Sequence, residues 1–202
     1  MTLALLAAAV LLAALELDAA SAAQVMVSRP AVFGPLVGVA LGEPSLGLGL
    51  GAIWELLTLD EAPIGGHMPI NATAAAGACL LLCAGPGGVA PEAAFAWGAA
   101  SGWVHRRFES LLRRRRAACA ARCESRLSAG QAPKLGRTAW LELGKQAAMT
   151  FAVLAAALAA RSTLGRWWPA APDGLQASLR LGLAASPWLG FAALLHALRV
   201  LA

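Results

Sequence analysis

Apolar segments, separated by short polar or glycine- and proline-containing breaks, make up most of the chain. The segments that we interpret as membrane-embedded cover residues 2–23, 31–42, 45–59, 72–84, 91–104, 138–160 and 175–202. A helix that crosses the bilayer needs about 20 mainly apolar residues. The first segment and the last two meet that length, whereas the four between them are short for a simple crossing. The pattern therefore predicts an all-α, polytopic helical membrane protein whose N-terminal half contains broken or re-entrant helices.

The first apolar segment has two interpretations. Ala-Ser-Ala at residues 20–22 resembles the cleavage site of a secretory signal. However, no positive charge precedes the apolar run, and Glu16 and Asp18 stand where the apolar region of a signal peptide should end. These features favour a retained first membrane helix.

Residues 28–73 mix apolar, glycine, proline and charged positions in a way that a continuous membrane helix does not. A proline inside a helix removes a backbone donor, and a charged side chain at the bilayer centre costs about 2.5–3.5 kcal/mol on insertion scales. The interrupting residues are Pro30, Pro35, Glu43, Pro44, Glu55, Asp60, Glu61, Pro63, His67, Pro69 and Asn71. Transporters place broken helices with polar residues at the breaks around a substrate site near the bilayer midplane. We therefore predict that the functional site lies in this stretch.

The local structure of this stretch has alternatives. Segments 31–42 and 45–59 form either one kinked span or two half-helices that meet inside the protein. Gly34, Gly38 and Gly42 recur at four-residue spacing, which is typical of a close helix-packing face. The alternating glycines at 47, 49 and 51 indicate either locally opened backbone or packing alone. Residues 62–73 form either a surface loop or non-helical backbone at membrane depth, which must be covered by protein or by a water-filled cavity.

Arginine dominates residues 105–126, and neither glycine nor proline interrupts them. Under the positive-inside rule this segment predicts a helix at the cytoplasmic face, followed by a linker. The following apolar segment then leaves the cytoplasm, with Glu142 and Lys145 able to pair on one face. The last segment returns the C-terminus to the cytoplasm, and Pro187 is expected to kink this last segment. We predict one domain over residues 1–202, with apolar segments in 1–104, the basic cytoplasmic helix and linker in 105–134, and two membrane spans in 135–202.

Composition supports a lipid environment and argues against nucleic acid as a partner. The chain has 202 residues, of which 59% are hydrophobic and 13% charged, whereas soluble domains have about 45–50% apolar and about 25% charged residues. The net charge of +5 comes largely from the basic segment between apolar segments, and no soluble basic recognition module is visible.

The four cysteines form two pairs with four-residue spacing, Cys79 with Cys83 and Cys119 with Cys123. On a helix, the two thiols of each pair share a face. A structural zinc site needs a closed set of four ligands, and His105 is too far along the chain to complete one locally. Packing is the favoured interpretation of both pairs, and no metal site is expected.

Ordered motifs in the first half of the chain resemble one family. They are Leu17-Asp18, Gln24, Ser28-Arg29-Pro30, Gly34-Pro35-Leu36-Val37-Gly38, Leu41-Gly42-Glu43, Gly47, Gly51-Ala52, Glu55-Leu56-Leu57, Ile64-Gly65 and residues 69–73. In order and spacing they are similar to the IIC component of the mannose/fructose/sorbose family of bacterial phosphotransferase system (PTS) sugar permeases. The resemblance covers about the first 80 residues well and is only general beyond Gly88. The structural motif residues that it marks are Arg29, Pro30, Gly34, Pro35, Gly38 and Gly65.

The resemblance implies a transport subunit in the bacterial cytoplasmic (inner) membrane, with several crossings. Such a subunit pairs with a IID membrane component, and a soluble IIB component, supplied by IIA, phosphorylates the emerging sugar. The resemblance also implies an oligomer, no cofactor, and no catalytic or phosphorylated residue on this chain. His67, His105 and His196 are therefore not interpreted as phosphorylation sites.

The resemblance and the polar positions together suggest a sugar site. Sugar hydroxyls need paired donors and acceptors, which Glu55, Asn71, His67 and Gln24 can supply. Glu55 is the strongest candidate, because a carboxylate can accept two hydroxyl bonds. The alternative for Glu55 is an ion pair with Arg29 that holds two segments together.

Two departures from the family pattern keep other functions open. Ile70-Asn71-Ala72 stands where members usually have Pro-Asp-Ala, and the chain is shorter than typical members. The alternative function is a structural or regulatory membrane protein that docks PTS phosphocarriers through the basic segment without transporting sugar. An intramembrane hydrolase is disfavoured, because no Ser-His or paired-carboxylate arrangement is marked by spacing.

Overall fold

The computed structural model describes residues 2–20, 24–59, 68–132 and 135–201. Within these ranges the chain is helical and contains no strand, as the sequence predicts. The helices are α1 (Thr2–Ala20), α2 (Pro30–Leu41), α3 (Pro44–Leu57), α4 (Ala72–Cys83), α5 (Pro91–Ser128), α6 (Leu135–Trp167) and α7 (Asp173–Leu201), with a 3₁₀ turn at Trp168–Ala170 between the last two.

Helices α2 and α3 form a tight antiparallel hairpin, which we call the glycine hairpin. They have 12 and 14 residues, hence lengths of about 18 and 21 Å at 1.5 Å per residue. Both are shorter than the hydrocarbon core of about 30 Å. Gly42 ends α2 in the left-handed conformation, with φ of 79°, and Pro44 begins α3 at a position that needs no backbone donor. The structure thus selects two half-helices over one kinked span.

The two half-helices touch through backbone. A Cβ atom added at Gly34 or Gly47 would collide with the backbone of the other helix, and Gly38 and Gly51 face the same seam. The packing role predicted for Gly34, Gly38 and Gly42 is confirmed for the first two, whereas Gly42 has no atom near its missing Cβ and ends α2 instead. Of the two alternatives for the glycines at 47, 49 and 51, opened backbone is not observed, because α3 continues through all three. Gly47 and Gly51 serve packing, whereas Gly49 has no atom near its missing Cβ.

Helix α4 is the centre of the core. Its residues from Thr73 to Leu82 are all buried. Leu12 of α1 and Leu154 of α6 meet at Gly77, and both leucines have no exposed surface. Helix α1 is thus part of the core.

Cys79 of α4 is part of this core, as the packing interpretation predicts. The Trp54 indole donates to its sulfur at 3.3 Å, and the sulfur lies 3.2 Å from the carbonyl oxygen of Ala94. All four cysteines of the chain are free thiols.

Helix α5 joins two segments that differ sharply in composition. It runs unbroken for 38 residues, about 57 Å, across the predicted boundary between residues 104 and 105. Its first half packs against α4. Most of its residues from 110 onward are exposed, and we call residues 110–128 the basic half of α5.

The two C-terminal helices are long and apolar enough to cross a membrane, over Leu135–Ala170 and Asp173–Arg199. They lie in the segment for which the sequence predicts two spans. Pro187 lies inside α7, which continues past it, and the Ser186 hydroxyl donates at 2.6 Å to the Leu183 carbonyl that the proline leaves without its usual donor. Arg161 of α6 donates to the carbonyls of Leu82 and Ala84, at the C-terminus of α4.

Candidate functional site

A cavity of about 420 Å³ lies beside the glycine hairpin, and we call it the hairpin cavity. Its volume falls in the range of about 300–1,000 Å³ that small-molecule sites occupy. The residues that line it are Glu16, Ala19, Ser28, Arg29, Pro30, Glu55, Thr58, Leu59, Met68, Pro69, Ile70, Asn71, Ala72, Thr73, Glu109 and Arg113. Three carboxylates and two guanidinium groups therefore share a cavity with several apolar side chains.

One wall of the cavity carries an ion pair between Arg29 and Glu55. Arg29 precedes α2 and Glu55 lies in the last turn of α3, so that the pair joins the two ends of the glycine hairpin. The guanidinium Nη1 lies 2.6 Å from the carboxylate Oε1, and the Ala31 amide donates to Oε2 at 3.4 Å. The structural role considered for Glu55 is thus observed, and its position on the cavity wall is compatible with a second role.

Asn71 is the N-cap residue of α4 and contacts a carboxylate on α1. Its Oδ1 accepts a hydrogen bond from the Ala74 amide at 2.7 Å, capping the helix. Its Nδ2 donates to Glu16 Oε1 at 3.0 Å. An aspartate could cap the helix but has no N–H to donate. The departure Ile70-Asn71-Ala72 from the family pattern is therefore matched by a specific partner.

Of the other two predicted sugar ligands, the structure describes only Gln24. Gln24 is exposed in the turn after α1, with φ of 55°, and does not line the hairpin cavity. His67, and the motif residue Gly65, lie outside the residues that the structure describes.

Several other motif residues build the turn that leads into the hairpin. Asp18 accepts hydrogen bonds from the Val25 amide at 2.7 Å and from the Ser28 amide at 3.2 Å. Thr73 of α4 donates to the Ser28 carbonyl at 2.8 Å. Pro30 is buried at the first position of α2. These contacts hold Arg29 at the edge of the cavity.

A buried polar network continues inward from the cavity, and it was not predicted from the sequence. Glu16 is 2% exposed and accepts hydrogen bonds from Asn71, from Gln146 at 3.2 Å and from Thr150 at 3.2 Å. Arg116 donates to the amide oxygen of Gln146 at 2.8 Å. The network joins α1, α4, α5 and α6.

His105 and Glu109 complete this network on α5. His105 Nε2 lies 2.9 Å from the Thr150 hydroxyl and 3.8 Å from Glu16 Oε1. Its Nδ1 lies 3.8 Å from Glu109 Oε2, and the other oxygen of Glu109 accepts from Arg113 at 2.8 Å. The buried polar network thus comprises Glu16, Asn71, His105, Glu109, Gln146 and Thr150.

Helical spacing was the signal for part of this network. His105, Glu109 and Arg113 recur at four-residue intervals, as do Gln146 and Thr150, so each set shares one helix face. What spacing does not give is the meeting of these faces with Glu16, which is 130 positions away from Gln146.

Comparison with known families agrees with the motifs. A family model described as PTS system sorbose-specific IIC component matches residues 1–200. The chain belongs to this family. No curated protein and no solved structure matches the chain.

Membership corrects the extent of the resemblance and establishes the general function. The match reaches well beyond the first 80 residues and includes the basic half of α5 and both C-terminal helices. The protein is a membrane component of a PTS sugar permease, which associates with other PTS components and with sugar. In this IIC protein the hairpin cavity and the buried polar network bring polar side chains together inside a largely apolar helical body.

Proposed function

We propose that this IIC protein translocates a hexose-like sugar and that the sugar binds in the hairpin cavity. The observation that carries the proposal is the composition of the cavity wall. Carboxylates at Glu16, Glu55 and Glu109 and guanidinium groups at Arg29 and Arg113 converge on a volume suited to a small polar ligand.

These groups supply both kinds of hydrogen bond that a sugar ring needs. Each hydroxyl donates one hydrogen bond and can accept others. Charged acceptors and donors make the stronger bonds, and the apolar side chains of Pro69 and Ile70 on the same wall can pack against C–H surfaces of the ring. Asn71 is already engaged with Glu16 and the α4 backbone, so it contributes mainly by orienting the Glu16 carboxylate.

The polar residues of the cavity wall belong to two different parts of the structure. Arg29 and Glu55 belong to the glycine hairpin, whereas Glu16, Glu109 and Arg113 belong to α1 and α5. A sugar between them would bridge the hairpin and the helical body. We propose that movement between these parts passes the sugar to the cytoplasmic side, where a soluble IIB component phosphorylates it and a IID component completes the translocation unit.

The test is uptake and phosphorylation of labelled hexoses and amino sugars in cells that express this chain together with its IIA, IIB and IID partners. Glu55→Gln keeps the size of the side chain but removes its charge, so we expect at least a tenfold loss of uptake with normal membrane insertion. The matched control is Glu124→Gln on the exposed basic half of α5, which should transport like the native chain.

Two outcomes would overturn parts of this proposal. Native uptake by Glu55→Gln would remove Glu55 from the sugar site. No uptake by the native chain, inserted beside its partners, would favour the alternative in which the protein docks PTS phosphocarriers without transporting sugar. The exposed arginines of the basic half would then be the expected docking surface.

A further inference from the structure

We infer that His105 and Glu109 bind a divalent transition-metal cation at the inner end of the hairpin cavity, with Glu16 as a third carboxylate beside them. The three residues come from α1 and from successive turns of α5. All three are buried, and one nitrogen or oxygen ligand atom from each lies within 4.8 Å of the others. The inference concerns a cation and does not depend on sugar binding.

Hydrogen bonding leaves one nitrogen of the imidazole without a partner. Thr150 lies 2.9 Å from His105 Nε2 and also 3.2 Å from Glu16 Oε2. The arrangement that satisfies both contacts has Nε2–H donating to the Thr150 hydroxyl, which in turn donates to Glu16. His105 Nδ1 then carries a lone pair, is fully buried, and has no hydrogen-bond partner.

That lone pair faces a second acceptor. Glu109 Oε2 lies 3.8 Å from His105 Nδ1, which is too long for a hydrogen bond. Two acceptors that face each other across a buried gap repel, and a cation between them converts the repulsion into two favourable contacts. Zinc–nitrogen and zinc–oxygen bonds of about 2.0–2.2 Å would fit a nitrogen and an oxygen separated by this distance.

The surrounding residues resemble the support that metal ligands usually have. A metal-binding histidine commonly donates its other ring N–H to a fixed acceptor, which sets the ring orientation, and Thr150 provides that acceptor here. Gln146 and Asn71 hold the Glu16 carboxylate, and Arg113 holds the remaining oxygen of Glu109. The imidazole and two carboxylates form a donor set suited to zinc, manganese or iron(II).

Charge and access are also consistent with a cation. Two carboxylates and one guanidinium group leave this cluster with a formal charge of −1 when the imidazole is neutral. Glu16 and Glu109 line the hairpin cavity, so two of the three ligands border it directly, and His105 lies behind them.

The test uses the purified full-length chain in detergent or lipid nanodiscs, with Cys119→Ser and Cys123→Ser to remove competing thiol ligands. Zn²⁺ binding is measured by calorimetry, and Co²⁺ binding by its visible absorption, which reports the ligand type and geometry. We expect the chain with Glu16, His105 and Glu109 unchanged to bind one ion. His105→Gln and Glu109→Gln should each weaken binding at least tenfold, whereas His196→Gln, at an exposed position of α7, should not change it.

Binding measurements on the chain that keeps Glu16, His105 and Glu109 can by themselves overturn the inference. Absence of one-to-one binding of either ion would show that the gap between His105 and Glu109 holds no such cation. Binding that is unchanged in both ligand variants would place the ion elsewhere. Size-exclusion profiles and circular dichroism of each variant separate loss of the ligand from loss of the fold.

Discussion

The glycine hairpin and the buried polar network solve the same packing problem in opposite ways. In the hairpin, side chains are absent where the helices meet, and Gly34 and Gly47 bring backbone against backbone. In the network, Glu16, Gln146 and Thr150 reach across the gaps between helices with directional hydrogen bonds. Lipid gives little hydrophobic drive for association between helices, so close packing and hydrogen bonds must supply it.

The difference between the two regions indicates which amino-acid substitutions each region can tolerate. A backbone seam has no side chain that can move aside, so it tolerates no added atom. A hydrogen-bonded network tolerates atoms of similar size but depends on which of them donate and which accept. Polar groups of the network line the hairpin cavity together with Arg29 and Glu55 at the ends of the hairpin. The glycines of the seam do not line the cavity, which is why we place function at the cavity and rigidity in the seam.

The largest expected effect comes from one methyl group in the seam. The Cβ of Gly47→Ala would collide with the backbone of Gly34 and Gly38, so we expect a loss of about 3 kcal/mol or more in the free energy of unfolding, the upper end of overpacking effects. Gly49→Ala adds the same methyl group to the same helix in open space. It should leave stability unchanged or raise it by up to about 1 kcal/mol.

Thermal unfolding of both variants in one detergent provides the comparison. If Gly47→Ala unfolded at the same temperature as the native chain, the close contact described between the two half-helices would be incorrect. An equal loss in both variants would instead indicate a general sensitivity of α3 to substitution.

An intermediate effect is expected from Glu16→Gln. The amide keeps one acceptor but turns an NH₂ group toward partners that already donate, namely Asn71, Gln146 and Thr150. An unsatisfied buried donor costs about 1–3 kcal/mol, and we expect a loss in that range. The same change at exposed Glu124 should have no measurable effect on the unfolding temperature. Native stability of Glu16→Gln would show that the network contributes no net stability.

The smallest effect on stability is expected at the cavity wall. The Arg29 side chain is 48% exposed in its pair with Glu55, and exposed ion pairs contribute about 0–1 kcal/mol. Glu55→Gln should therefore unfold within a few degrees of the native chain while it loses uptake. A large loss of stability with proportional loss of uptake would instead assign Glu55 a purely structural role.

The sequence predicts the hairpin better than the network for a physical reason. Gly42, Pro44 and two short apolar segments are local signals that reduce the possibilities to one kinked span or two half-helices, and the structure shows two half-helices. The sequence offers the pair between Arg29 and Glu55 as the alternative to sugar binding by Glu55, and the structure contains that pair. By contrast, Glu16 meets Asn71 and Thr150 across 55 and 134 positions, and these contacts depend on how α1, α4 and α6 rotate about their axes.

The sequence-based prediction and the structure differ at two further places. The change of composition at residue 105 predicts a boundary, yet α5 is continuous because no glycine or proline ends it there. In the sequence, Glu16 is distinguished only as an acidic residue near the end of an apolar run. Its importance appears once Asn71 caps α4 beside it and donates to its carboxylate.

The measurement that tests the central claim most directly is protection of the hairpin cavity by sugar. Ala19 is exposed and lines the cavity, so Ala19→Cys can be labelled by a membrane-impermeant thiol reagent once Cys83, Cys119 and Cys123 are replaced by serine. Ala118→Cys, on the exposed basic half of α5, is the matched control. We predict that the transported sugar slows labelling of Ala19→Cys at least several-fold and leaves Ala118→Cys unaffected. Equal labelling of Ala19→Cys with and without a sugar that the complex transports would contradict the assignment of the cavity as the sugar site.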